Sequence, residues 1–143
     1  MDLELELAFE LGRVSRRWRT RLDERLKHTG QTQARWMALL QLSRSGPVSQ
    51  RELAERVGVE GPTLVRLLDN LEEQGLIERQ ACEDDRRVKL VHLSPAADPV
   101  LKEITRISAE LRHELLADVP REKLRIAHEV MKLIGDRLEG PST

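Results

Sequence analysis

The sequence predicts a mainly α-helical fold of about six helices with one β-hairpin, and three observations predict it. Apolar residues recur at steps of three and four along most of the chain, the spacing of one helix face. Only residues 76–93 read differently, as two β-prone runs around a charged tip. The chain is 39% hydrophobic but only 2% aromatic, so its core must be aliphatic, as mainly helical packing allows.

The elements follow in order. Leu7, Leu11, Val14, Trp18, Leu22 and Leu26 make one stripe of a long first helix. The alternation in LELEL before it is strand-like, but it runs straight into the helical pattern, so a helix with a frayed start is expected. A second helix spans about 32–43, and Gly46-Pro47 stops it. Ser49 with Glu52 three residues on is a capping box, in which serine oxygen and glutamate each satisfy a backbone N–H of the first turn. Leu53, Ala54 and Val57 then share a face, and Gly58 closes this third helix in a left-handed conformation.

Gly61-Pro62 opens a fourth helix, with proline where a missing N–H costs little. Leu64, Leu67, Leu68 and Leu71 are its buried stripe. Small Ala54, turn residue Gly58 and apolar Val59 let the third and fourth helices cross at about 90–120°. Gly75 ends the fourth helix; strands follow at 76–81 and 88–93, around a tip reading Cys82-Glu83-Asp84-Asp85-Arg86-Arg87. Ser94-Pro95 starts a fifth helix carrying Val100, Ile104, Ile107, Leu111 and Leu115, and Pro99 removes one backbone bond near its beginning. Asp118-Val119-Pro120 breaks the chain. Leu124, Ala127, Met131, Ile134 and Leu138 then repeat at the spacing of a coiled-coil seam.

Two short helices joined by a tight turn, followed by a hairpin, form a winged helix-turn-helix. Such a unit places its second helix in a DNA major groove and its hairpin beside it. Glu60, Gly61, Pro62, Thr63, Val65, Arg66, Asp69 and Asn70 lie off the buried stripe of that helix. Arg66 has the bidentate geometry for guanine, while Pro62, Thr63 and Val65 suit thymine methyls or the backbone. Arg86 or Arg87 at the hairpin tip suits a narrow minor groove, where the negative potential is greatest. Asp85 can brace one of them by a charge-assisted hydrogen bond. Ser49 and Gln50, at the start of the third helix, complete the expected DNA-contact set.

Charge opposes an easy DNA assignment. Net charge is −1, and residues 49–93 hold seven basic and ten acidic side chains. Placement must rescue the reading: Asp69, Glu72 and Glu73 sit late on the fourth helix, away from its leading end. Basic residues concentrate at 13–27, where seven positives face only Asp23 and Glu24.

Other classes are less well served. His28, His92, His113 and His128 are scattered, His113-Glu114 lacks a second histidine four residues on, and no glycine-rich phosphate loop is visible. No enzyme, cofactor or metal centre is therefore expected. A metal-responsive regulator would rest on His113 and His128. A redox-responsive one would rest on Cys82 alone, which three acidic residues follow. A protein-interaction module would share the helices without needing the Asp-Arg tip. One cysteine and the absence of an apolar run near eighteen residues suit a cytoplasmic protein with no membrane partner.

The terminal helices point to a homodimer. Two long amphipathic helices have little winged domain to cover them, so Leu7, Leu11, Leu115, Leu124, Met131, Ile134 and Leu138 are expected at an interface with a second copy. The expected organisation is 1–46 for N-terminal helices serving dimerisation and part of a ligand pocket, 47–94 for the winged region, and 95–143 for C-terminal dimerisation helices. A dimer would present two recognition helices about one DNA turn apart, roughly 34 Å.

Taken with the run from Leu22 and Leu26 to Thr32-Gln33 and Trp36, the segment VEGPTLVRLLDNLEEQGLIERQ and the wing DDRR followed by Leu93-Ser94 resemble the MarR family of transcriptional regulators, and within it the SlyA branch. The resemblance covers nearly the whole chain. It implies an obligate homodimer of triangular shape whose terminal helices interlock and whose winged domains straddle a pseudo-palindromic double-stranded operator. By it, Pro62, Thr63 and Arg66 match the major-groove readers, Arg87 the wing arginine and Asp85 the aspartate supporting it. It also implies a small aromatic acid or phenolic ligand between the terminal helices and the winged domain. Arg16 and Arg35 would there meet a carboxylate, and Trp18 and Trp36 a ring. Glu83-Asp84-Asp85 makes this wing more acidic than suits phosphate.

Overall fold

Apolar periodicity becomes helix nearly everywhere it is expected. The computed structural model describes residues 1–140 in the order α1 (Leu3–Leu26), α2 (Gln33–Ser45), β1 (Val48–Ser49), α3 (Gln50–Val57), α4 (Gly61–Glu73), β2 (Ile77–Ala81), β3 (Lys89–Leu93), α5 (Asp98–Leu116) and α6 (Arg121–Glu139). Single 3-10 turns at Lys27–Thr29 and Pro95–Ala97 join α1 to α2 and lead into α5. Of the expected 95–143 region, 141–143 lie outside the described residues.

Chain contacts divide the molecule after Ala109. The first unit holds α1 to β3 and the start of α5. Its core is aliphatic around one indole: Leu26, Trp36, Leu39, Leu42, Leu53, Leu64, Leu68, Leu71, Ile77, Val91 and Ile104 are fully or almost fully buried. The stripe on α1 enters this core only at its C-terminal end. Leu22 and Leu26 are buried, whereas Leu3, Leu5, Leu7, Phe9, Leu11 and Val14 stay exposed. LELEL is helical from Leu3, because Asp2 caps it by accepting from Leu5 N–H at 3.1 Å.

The helix-turn-helix forms as its local signals dictate. Ser49 Oγ accepts from Glu52 N–H at 3.1 Å, and Gly58 closes α3 at φ +82°, with its N–H on Ala54 O. Glu52 turns outward rather than back, and its Oε1 accepts from Arg56 at 2.8 Å. One half of the expected capping box is thus replaced by an i,i+4 ion pair. Pro62 sits in the first turn of α4, and Leu64, Leu67, Leu68 and Leu71 are its buried residues.

The sheet has three strands in the order β1-β3-β2, all antiparallel. β2 and β3 are the expected hairpin, in register from Ile77↔Leu93 to Ala81↔Lys89. β1 is additional: Val48 pairs with Val91 and Ser49 with Leu90, joining the entrance of α3 to the returning strand.

The second unit holds the end of α5, the break before Pro120, and α6. Leu111 is buried, but none of the nineteen residues of α6 is, and Ile126, Val130, Met131, Leu133 and Leu138 are exposed. No helix among the described residues is long and apolar enough to cross a membrane.

Candidate nucleic-acid interface

The start of α3 lies beside the hairpin because β1 runs directly into it. Pairing of Ser49 with Leu90 brings Gln50 and Arg51 against the strand that leaves the tip. A groove of about 310 Å³ results, lined by Ser49, Gln50, Arg51, Arg87, Val88 and Lys89. Three of these six side chains are cationic and none is acidic, at the end of α3 where backbone N–H groups favour an anion. Sequence reasoning places Ser49, Gln50 and Arg87 in the site, but misses Arg51 and Lys89. The missing signal is β1, which at two residues is too short to show any alternation.

The hairpin tip is a turn that its own candidate contact residues build. Val88 N–H donates to Asp85 O at 3.0 Å, making Asp85 the first residue of a β-turn, a position aspartate favours. Its carboxylate accepts from Arg87 backbone N–H at 3.0 Å, from Nε at 3.1 Å and from Nη2 at 3.3 Å. These bonds from Arg87, side chain first and backbone second, hold the Asp85 carboxyl below its ordinary 3.8. The Arg87 side chain is still 91% exposed, so the pair orients the guanidinium without consuming it. Such an exposed pair adds little stability; its role is geometric. Arg86 is exposed beside it, and Cys82 is half-buried at the base with its N–H on Val88 O at 2.8 Å.

On α4, Pro62, Thr63, Val65 and Arg66 are all exposed, as their places off the leucine stripe require. A neighbouring groove of about 380 Å³, mostly apolar, runs between α3 and α4 along Ala54, Val59, Gly61, Leu64 and Val65. Glu60 precedes the helix without a side-chain cap bond, leaving its first N–H groups open.

The C-terminal half of α4 is tied to its neighbours. Arg79 of β2 donates through Nη2 to Asp69 at 2.6 Å and through Nε to Glu72 at 3.0 Å. The Arg79 hydrogen bond outweighs partial burial and pulls the Glu72 carboxyl below its ordinary 4.5, while Arg79 itself is raised. Arg35 of α2 donates to the Asn70 side chain, and also to Gly30 O at 3.3 Å.

The four residues expected to meet an aromatic ligand are not gathered into one cavity among the described residues. Trp36 is fully buried, and its Nε1 donates to Asp23 at 3.2 Å. Arg35 is engaged with Asn70 and Gly30. Trp18 is half-buried on α1, and Arg16 lines a shallow basic groove of about 360 Å³ with Arg17, Thr20, Arg21 and Glu24. No cluster of three or more metal-ligating side chains occurs among the described residues.

Comparison with known proteins agrees with this architecture. The sequence profile of the MarR family matches residues 32–89, from the cap of α2 to the start of β3. The crystal structure of the transcriptional regulator PA3341 is 44% identical with a TM-score of 0.88, over 94% of this chain and 99% of that one. A MarR family transcriptional regulator from Silicibacter pomeroyi DSS is 26% identical with a TM-score of 0.88, over 94% and 91%. The transcriptional regulator BldR from Sulfolobus solfataricus is 26% identical with a TM-score of 0.78, over 92% and 96%.

Proposed function

Since this chain belongs to the MarR family of transcriptional regulators, we propose that it works as a homodimer on a pseudo-palindromic DNA operator, in the cytoplasm, with the SlyA-like wing motif DDRR as its minor-groove probe. The observation that carries the reading is the convergence of Ser49, Gln50, Arg51, Arg87 and Lys89 on one cationic groove beside the exposed leading end of α4. Phosphate contacts would come from this groove and fix the register. Base readout would come from Arg66, with Pro62, Thr63 and Val65 beside it and the wing arginines in the adjacent minor groove. Asp85 holds Arg87 in place, and Arg86 adds a second cation.

The dimer is supported by the terminal helices. α6 buries none of its own residues, and α1 leaves Leu7 and Leu11 exposed along with Leu115 of α5. Leu124, Met131, Ile134 and Leu138 supply the seam on α6. If a dimer neutralises about eight phosphates, log affinity falls with log salt at a slope of roughly −7. Arg66→Ala should relax base preference. Arg87→Ala should weaken binding and make the slope shallower, by about one unit for each phosphate no longer neutralised. Titrating both variants over several salt concentrations on a duplex selected from a random pool tests this. Wild-type affinity in both would remove the site.

A small aromatic acid or phenol is proposed as the effector. Because Trp36 and Arg35 are occupied within the fold, Arg16 and Trp18 are the members of the expected set able to meet it without rearrangement. Coupling to DNA of about 1–3 kcal/mol is the usual scale. Calorimetry with salicylate-like acids, with and without the selected duplex, decides: no heat, or no change in DNA affinity, removes the effector.

A further inference from the structure

The recognition helix carries a residue able to disable it. Asp69 lies three positions after Arg66 on α4, the spacing at which an aspartate and an arginine on one helix face pair. Paired in that way, Arg66 would lose donors it needs for a base edge. Arg66 makes no hydrogen bond or ion pair among the described residues, and Asp69 is held elsewhere, by Arg79 Nη2 at 2.6 Å. The same guanidinium takes Glu72 through Nε at 3.0 Å.

Arg79 is poorly placed to bind DNA itself. Its side chain is 16% exposed, and it projects from the middle of β2, at the register of Val91 in β3. Two of its donor groups are already committed to carboxylates. We infer that Arg79 is a positioning residue: by holding Asp69, and Glu72 with it, against the sheet, it keeps Arg66 unpaired for base readout and cancels acidic charge on the helix that faces the duplex. This deepens the proposed DNA-binding reading and rests on it.

Removing Arg79 releases two carboxylates on α4. Asp69 can then turn to Arg66, and any excess negative charge repels phosphate. Arg79→Gln should weaken binding roughly tenfold, within the range that one bidentate guanine contact commands. The loss should fall on guanine preference as well as on affinity. Arg79→Lys keeps a charge at the site and should retain binding within about threefold of wild type.

The experiment is a set of double-mutant cycles. The probe is a labelled duplex selected from a random pool by the wild-type protein. Arg79→Gln is measured alone, with Asp69→Asn and Glu72→Gln together, and with Arg66→Ala. The expected result is a clear loss in the wild-type background, less than about a twofold change beside the two amides, and beside Arg66→Ala a loss smaller than in the wild type, since only the released charge then acts. A loss of equal size in all three backgrounds would overturn the inference, because damage to the fold, or removal of a direct bond to phosphate, persists whatever happens to Asp69 and Arg66. So would unchanged binding by Arg79→Gln alone. If Arg79→Gln does not fold, Arg79→Lys and the triple substitution decide in its place: weak binding by both overturns the inference, and near-wild-type binding by both supports it. A wild-type protein that selects no duplex refutes the DNA-binding reading itself, a result separable from all of these.

Discussion

Met131→Glu should dissociate the proposed dimer, and its size can be worked from the structure. Met131 is 45% exposed in the single chain, on a helix that buries nothing. Full burial of a methionine side chain is worth about 1.5–3 kcal/mol, so covering its remaining surface contributes about 1 kcal/mol per copy. A two-fold interface counts every substitution twice. Loss of burial alone thus removes about 2 kcal/mol, a weakening of roughly 30-fold in the dimer dissociation constant. The carboxylate must also be desolvated or forced aside, adding at least about 2 kcal/mol per copy and bringing the total near 6 kcal/mol, or about 10⁴-fold. Sedimentation velocity over a wide concentration range measures this directly, with circular dichroism as a check that helix content is retained. DNA affinity should fall in parallel, because a monomer presents one recognition helix. A wild-type protein that sediments as a monomer, or a variant as dimeric as wild type, would refute the assignment of α6 to the interface.

Three other outcomes are expected. Trp36→Phe should cost about 1–3 kcal/mol in urea denaturation, since it removes the bond to Asp23 from the fully buried indole. It also leaves Trp18 as the sole tryptophan, whose emission should respond to a salicylate-like acid; silence would argue against Trp18 as a ligand contact. Gly58→Ala should cost about 1–2 kcal/mol with an unchanged denaturant slope, because a Cβ there meets nothing within 4 Å and the penalty lies in the left-handed φ of +82°. By NMR titration, Glu72 should deprotonate below its ordinary 4.5, and Arg79→Gln should return it upward. A carboxyl depressed in the folded state contributes stability that is present above the unfolded value. That contribution fades as pH falls below about 4.5, so Arg79→Gln should flatten this part of the acid limb. An unmoved Glu72 titration would show that the pair does not persist in solution.

The fold is legible because its signals are local. Ser49, Gly58, Pro62 and Gly75 are punctuation that acts within a few residues, and the leucines of α4 mark a buried face by spacing alone. What escapes the sequence depends on residues distant along the chain. β1 is two residues long and exists only because β3 returns beside it, so Arg51 and Lys89 could not be joined to the site from sequence. Trp36 shows the limit from the other side. An indole next to Arg35 reads equally well as a ligand platform or as core, and its complete burial against Asp23 places it in the core. The tip is half legible: DDRR displays its charges, but not that Asp85 is also the residue that makes the turn.

The same distinction between composition and placement explains how a segment with more acids than bases can serve a polyanion. Counting side chains treats Arg56, Arg79 and Arg87 alike, yet they do different work. Arg56 closes an i,i+4 pair with Glu52 on α3. Arg79 is spent on Asp69 and Glu72, so its charge offsets one of those two carboxylates and is not available to phosphate. Arg87 is paired with Asp85 but keeps its guanidinium 91% exposed, so the acid orients the base. Arg51, Arg66, Arg86 and Lys89 are exposed on the leading end of α4, the start of α3 and the tip. Glu83 and Asp84 remain exposed near the tip, and they are the acids whose removal should strengthen DNA binding most, because no arginine holds them among the described residues. Replacing both with their amides should tighten binding to random duplex at low salt, with a smaller effect at high salt where their repulsion is screened. A variant that binds no tighter than wild type at either salt concentration would mean that the wing tip does not approach the phosphates, and the minor-groove role of Arg87 would fall with it.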